Sequence, residues 1–263
     1  MPDPTTAIIR AANESGVLKE IYKDLAQPGV KQVGKALETV LQLGSSLMLP
    51  LRLLNETARK FEEQKFEAIA ERFAKIPEES VIDISPEIGV PIMEKLSFTR
   101  EKTLRDMFVE LLAKAACSST VAEAHPSFVG VISAISPDEA IFLKELRRQR
   151  YHPFVSIDLK EPKGSGKITP HEIVMLPPLG LAYPSNVPFY VSNLIGLGIL
   201  ESRRDVSISS PGAYDAVITY AKESFGFGDQ VGFGEDVRKV EYGKHVLVVL
   251  PYGTSFINAC TSA

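Results

Sequence analysis

The sequence predicts a mainly α protein: an all-helical N-terminal domain over residues 1–135, then a small α+β, winged-helix-like domain over residues 136–263. Three observations carry this reading. Up to Ile135 the apolar residues recur at three- and four-residue intervals, the period of a helix face. Ser136-Pro137-Asp138-Glu139 has the form of a capping box with proline at the first helical position, which opens a helix and, here, a second domain. Beyond residue 150 the order helix, strand, helix, apolar run, hairpin, helix is that of a winged helix-turn-helix with one helix added.

Taken in order, Leu18, Ile21, Tyr22 and Leu25 mark a first short helix that Pro28-Gly29 ends. A second runs through Val33, Leu37 and either Val40 or Leu41, weakened at Gly44-Ser45-Ser46 and interrupted at Pro50, which removes a donor and clashes one turn back. Leu51, Leu54, Ala58, Phe61, Phe66, Ile69, Phe73 and Ile76 then form the stripe of a charged amphipathic helix that stops before Pro77. Ser85-Pro86 opens a short helix through Leu96, Thr99 is placed to cap the next, and His125-Pro126 opens another. In the second half, Phe154 to Leu159 alternates as a strand and Asn186 to Leu200 reads as a helix running into glycines. Two apolar runs around Tyr242-Gly243-Lys244 read as a hairpin, and Pro251-Tyr252-Gly253 starts a last helix.

Composition is that of a folded globular chain, with 44% hydrophobic and 24% charged residues. The opening residues have no basic region followed by an apolar one, so no secretory signal is expected. The two distant cysteines, Cys117 and Cys260, offer no disulfide framework, and together these features fit the cytoplasm. Net charge is −4, divided as −3 over residues 1–135 and −1 over residues 136–263, so neither half has the basic surplus of a nucleic-acid binder.

Motifs that would carry chemistry are absent or incomplete. His125, His152, His171 and His245 share no ligand spacing with each other or with the cysteines, so no metal is expected. Lys163-Gly164-Ser165-Gly166-Lys167 resembles a phosphate loop but has Glu161 where the first glycine belongs and Ile168 where a hydroxyl should follow. The glycines at 226, 228, 232 and 234 miss the dinucleotide spacing and read as a linker or wing tip. No serine-hydrolase, lactamase or zinc-protease signature is present, so no catalytic residue and no cofactor are nominated, and the balance leans against an enzyme.

Two candidate interaction sites remain. Lys144, Arg147, Arg148 and Arg150 form one basic patch at a helix C-terminus, where cations also offset the macrodipole. The groove-reading helix of a winged helix would be 187–198, which has no lysine or arginine, so nucleic acid is not the expected partner. The second candidate lies within residues 30–55 and comprises Leu41, Leu47, Leu49, Leu51 and Leu54. Thirteen successive residues, 39 to 51, lack charge, but a spanning helix needs about 20, and Pro50 falls inside. A buried helical hairpin is the simplest reading, with an oligomer face or peripheral membrane contact as the alternatives.

These stretches, in order, resemble the abortive-infection alpha family of bacterial phage-defence proteins. The resemblance rests on PGVKQVGKAL at 28–37, LMLPLRLLNE at 47–56, KIPEE at 75–79 and LRDMFVELLAKA at 104–115. It continues in HPSFVGVISAISPDEAIFLKEL at 125–146, SNLIGLGILE at 192–201 and PYGTSFINAC at 251–260, where Leu250 stands in place of the family's expected threonine. The resemblance implies defence by arrest or death of the infected cell and brings no catalytic residues with it. Two mechanisms are open on this reading. One is a non-enzymatic effector that forms a homo-oligomer or acts through residues 30–55. The other is a winged-helix sensor or regulator that binds nucleic acid or a phage protein, the latter serving as trigger.

Overall fold

A computed structural model of the chain describes residues 56–161, 166–233 and 236–261. The chain divides into two compact units, one running to Pro137 and taken up again from Asn258, the other from Asp138 to Ile257.

The first unit is built from α1 (Glu56–Phe73), α2 (Pro86–Leu96), α3 (Lys102–Ala115) and α4 (Ser127–Ser133). The hub is α3, which packs against α1, α2 and α4. Every residue from Met107 to Ala113 is therefore buried, including the charged Glu110. Phe73 from α1, Ile92 and Leu96 from α2, Leu111 and Leu112 from α3, and Phe128 from α4 fill the core. Burying such side chains stabilises by about 1.5–3 kcal/mol each. Glu110 is tolerated because the Arg72 guanidinium reaches it with two N–H groups, Nε to Oε2 and Nη2 to Oε1 at 2.6 Å. At the start of α4 His125 Nδ1 accepts the Ser127 N–H at 3.2 Å. Thr99 does not cap α3. Its hydroxyl donates back to the Lys95 carbonyl at 2.8 Å, closing the end of α2.

The second unit contains α5 (Pro137–Leu146), β1 (Tyr151–Lys160), β2 (Lys167–Val174), α6 (Val187–Gly196), β3 (Leu200–Arg203), α7 (Asp215–Phe225), β4 (Gln230–Phe233) and β5 (Asp236–Val249); α8 (Pro251–Cys260) closes the chain. The strands form one antiparallel sheet in the order β2-β1-β5-β3, with β4 also paired to β5. The β1–β5 register sets Phe154 opposite His245, Ser156 opposite Gly243 and Ile157 opposite Tyr242. Side chains alternate across the pleat. One face carries Val155, Ile157 and Leu159, which form a core with Tyr214, Val217 and Ala221. Pro153 is accommodated because β2 pairs with β1 only from Val155 onward, so no second ladder needs its missing donor.

The mainly-α, winged-helix-like fold class is therefore corrected. The C-terminal half is organised by a five-stranded antiparallel sheet rather than by a helix-turn-helix with a hairpin wing. Tyr242-Gly243-Lys244 is not a turn but the middle of the 14-residue β5. The glycine-rich stretch expected as a linker or wing tip contains β4. Glycines suggested turns at both places, yet an extended strand accepts glycine wherever a neighbour presses close. Nor is the first unit purely helical among its described residues, since Val81 and Cys117 form an isolated antiparallel bridge. Flanking it, Ile82 N–H donates to Ala116 O and Ser118 N–H to Ser80 O, each at 2.8 Å.

Candidate functional site

The apolar candidates Leu41, Leu47, Leu49, Leu51 and Leu54 lie outside the described residues. The basic candidates are described. Lys144 occupies the last turn of α5, with Arg147, Arg148 and Arg150 following it, and all four are exposed. Arg148 pairs with Glu145 at 3.2 Å, and the Arg150 guanidinium lies 5.6 Å from the centre of the Tyr151 ring. Such exposed pairs contribute only a few tenths of a kcal/mol, up to about 1 kcal/mol. The helix in the groove-reading position of a winged helix, α6, turns Tyr190 inward and ties Asn193 Nδ2 to Glu139 Oε1 at 2.7 Å.

A buried carboxylate organises the loop before that helix. Asp138 accepts the Ala182 N–H at 2.9 Å, the Tyr183 N–H at 2.8 Å and the Tyr190 hydroxyl at 2.7 Å. Burial opposes its ionisation, but the donors from Ala182, Tyr190 and Tyr183 outweigh that cost and hold the carboxyl below the usual range. Burial and the Asp138 carboxylate push the Tyr190 hydroxyl the other way, up to about 12. The loop so anchored presents Leu179 and Tyr183 to solvent, and the first turn of α6 presents Phe189.

A second polar group sits on the sheet face opposite the Val155 core. Ser156 Oγ lies 3.1 Å from His245 Nε2. Lys167 Nζ and Thr169 Oγ1 donate to Asp158, both at 2.8 Å. Burial works against the Asp158 charge, yet these donors hold its carboxyl below the ordinary value. Burial lowers His245, favouring the neutral ring, while the Arg204 backbone acts in the opposite sense. His245 Nδ1 is enclosed with no hydrogen bond of good geometry.

A serine beside a histidine invites comparison with a nucleophile and its base. Here the Asp158 carboxylate is taken by Lys167 and Thr169 and makes no hydrogen bond to Nδ1, so it does not orient the imidazole as a triad requires. Ser156 is only 2% exposed, and Gly243 closes over it so tightly that a Cβ would stand 2.4 Å from the Ser156 hydroxyl oxygen. The arrangement holds β1, β2 and β5 in register. Residue order did not reveal it, because His245 is 89 positions from Ser156. Only half was legible, the i, i+2 placement of Ser156 and Asp158 on one face of a strand.

The second unit also has an open cleft of about 620 Å³, with Val246, Val248 and Ile208 along its apolar side and Arg150, Arg203 and Ser207 on its polar side. Arg203 is engaged by Asp205, Nη2 to Oδ2 at 2.7 Å. Among the described residues no three His, Cys, Asp or Glu side chains converge as a metal site, and no helix is long and apolar enough to cross a membrane. Both cysteines are buried thiols, and burial pushes Cys260 well up.

Comparison with known proteins gives one match: the family model described as "Abortive infection alpha" covers residues 57–260. No curated protein and no solved structure matches the chain.

Proposed function

The chain belongs to the abortive infection alpha family, and from that membership we propose that it is an anti-phage defence protein whose action arrests or kills the infected cell. The observation that carries the reading is the extent of the match, which takes in most of the chain from α1 to the end of α8. The state of the described side chains supports a mode of action without an active site. The Ser–His contact is closed over by a strand, and the carboxylates of Asp138, Asp158 and Glu110 are consumed by structural donors. The protein acts in the cytoplasm as a non-enzymatic effector, triggered by a phage component. It assembles with copies of itself or engages its target through residues 30–55, where Leu41, Leu47, Leu49, Leu51 and Leu54 stand.

The test is phage plating and culture collapse at low and high infection ratios, with membrane potential followed in the same cells. Ser156→Ala, His245→Gln, His125→Ala and Cys117→Ala, each shown to fold, keep protection under this reading. Leu47→Asp, also shown to fold, abolishes it. Loss of protection in folded Ser156→Ala or His245→Gln would establish a chemical role for the pair. Full survival of infected cells would remove the abortive element.

A further inference from the structure

Residues 173–200 form a run of 28 without one Asp, Glu, Lys, Arg or His. Its later part folds inward, with Val187, Tyr190, Val191 and Leu194 of α6 buried. The segment before it and the outer side of its first turn do not. Leu176 is 47% exposed, Leu179 97%, Tyr183 66% and Phe189 67%. Apolar side chains scattered singly over a surface are ordinary, but three on one uncharged loop and a fourth on the helix turn that follows mark an interaction site. We propose that the loop 176–189 is a preformed lipid-docking tip that enters the interfacial region of a bilayer.

Three features select lipid as the occupant. The first is the state of the backbone donors, since lipid has few acceptors to offer an amide. Pro177, Pro178, Pro184 and Pro188 have no N–H. Those of Ala182 and Tyr183 are taken by Asp138, and those of Asn186 and Val187 by the carbonyls of Tyr183 and Pro184. Most of the loop's amides are thus absent or bonded before any partner arrives. The second is the position of Leu179. Gly180, at φ 88°, takes the left-handed place in the turn and leaves Leu179 at the tip with almost no contacts. A projecting side chain suits a fluid medium, which needs no shaped receptor. The third is the aromatic pair, since Tyr and Phe rings set beside an aliphatic tip are suited to the headgroup level. With no cation in the run, attraction comes from apolar burial and is insensitive to salt and to lipid charge. Docking through this loop does not depend on how the chain acts in defence, and it is read on purified protein.

The chain contains no tryptophan, so Leu179→Trp introduces a single fluorophore at the tip. With full-length protein and neutral phosphatidylcholine vesicles, its emission shifts to the blue and is quenched by brominated acyl chains. The parent protein co-floats with the vesicles equally at low and high salt. Leu179→Ser combined with Phe189→Ser lowers vesicle affinity by about tenfold or more while leaving the circular dichroism and melting curve unchanged, because both side chains are exposed. Phe98→Ser, at a position 66% exposed in the other unit, changes nothing. The inference is overturned by an unshifted Leu179→Trp spectrum at saturating lipid, or by a double variant that floats like the parent. Binding that requires anionic lipid and disappears with salt would also overturn it. So would self-association lost in the double variant without any vesicle binding, which would assign the loop to a second copy of the chain.

Discussion

The Tyr190 hydroxyl donates to Asp138 Oδ2 across 2.7 Å, joining residues 52 positions apart. This bond ties α6 to the first turn of α5, and the Ala182 and Tyr183 amides complete the hold on the same carboxylate. Asp138→Asn replaces an acceptor-only oxygen with an NH₂ group that faces donors. A loss of about 2–4 kcal/mol is expected in denaturant unfolding. Tyr190→Phe, which keeps the ring and drops one donor, should cost about 1–2 kcal/mol.

The same contact fixes a pH dependence. The Asp138 carboxyl is held low, so its contribution to stability is complete above the unfolded value of about 4 and is lost as pH falls through the folded value. Tyr190 is raised to about 12, so its contribution is complete below its ordinary value and is lost as pH rises toward that figure. Melting temperature against pH should flatten at the acid end in Asp138→Asn and at the alkaline end in Tyr190→Phe. Unchanged acid and alkaline limbs would show that the contact does not govern the titration.

Arg72 and Glu110 offer a double-mutant cycle. Glu110 is 8% exposed at its side chain and Arg72 26%, so either single truncation strands a partner of opposite charge. Arg72→Met alone should cost about 3 kcal/mol, and Arg72→Met with Glu110→Leu less than the single change. Additive losses would mean that the two charges do not couple.

Gly253 tests the packing of α8. A Cβ there would stand 2.3 Å from the Ile199 carbonyl oxygen, which also accepts the Leu250 N–H at 3.0 Å. Gly253→Ala should lower the melting temperature, with a cost of about 1–3 kcal/mol or more, although alanine is the better helix former. A rise in melting temperature would show that the backbone moves freely.

Duplex DNA should bind only weakly. The exposed basic groups after α5 are few, Arg148 is paired with Glu145, and the second half of the chain carries −1. Fluorescence anisotropy should give dissociation constants well above micromolar at physiological salt. Arg147→Glu with Arg148→Glu should change little. A submicromolar, salt-dependent affinity lost in that variant would reverse this view.

Local order determined much of this protein in advance. The stripe through Ile69 and Phe73, the proline opening α5 and the alternation from Phe154 to Leu159 needed only the 3.6- and 2-residue periods, which neighbouring residues impose on any chain. The family was legible for the same reason, as short motifs kept in order. The tertiary structure alone decided that Gly243 lies inside a strand, because what calls for glycine there is Ser156 and His245 pressing from across the sheet. It alone decided that the acidic start of α5 reaches α6 as partner, and that Ser156 meets His245. These are pairings between distant residues, selected by strand register and burial, and no local period encodes them.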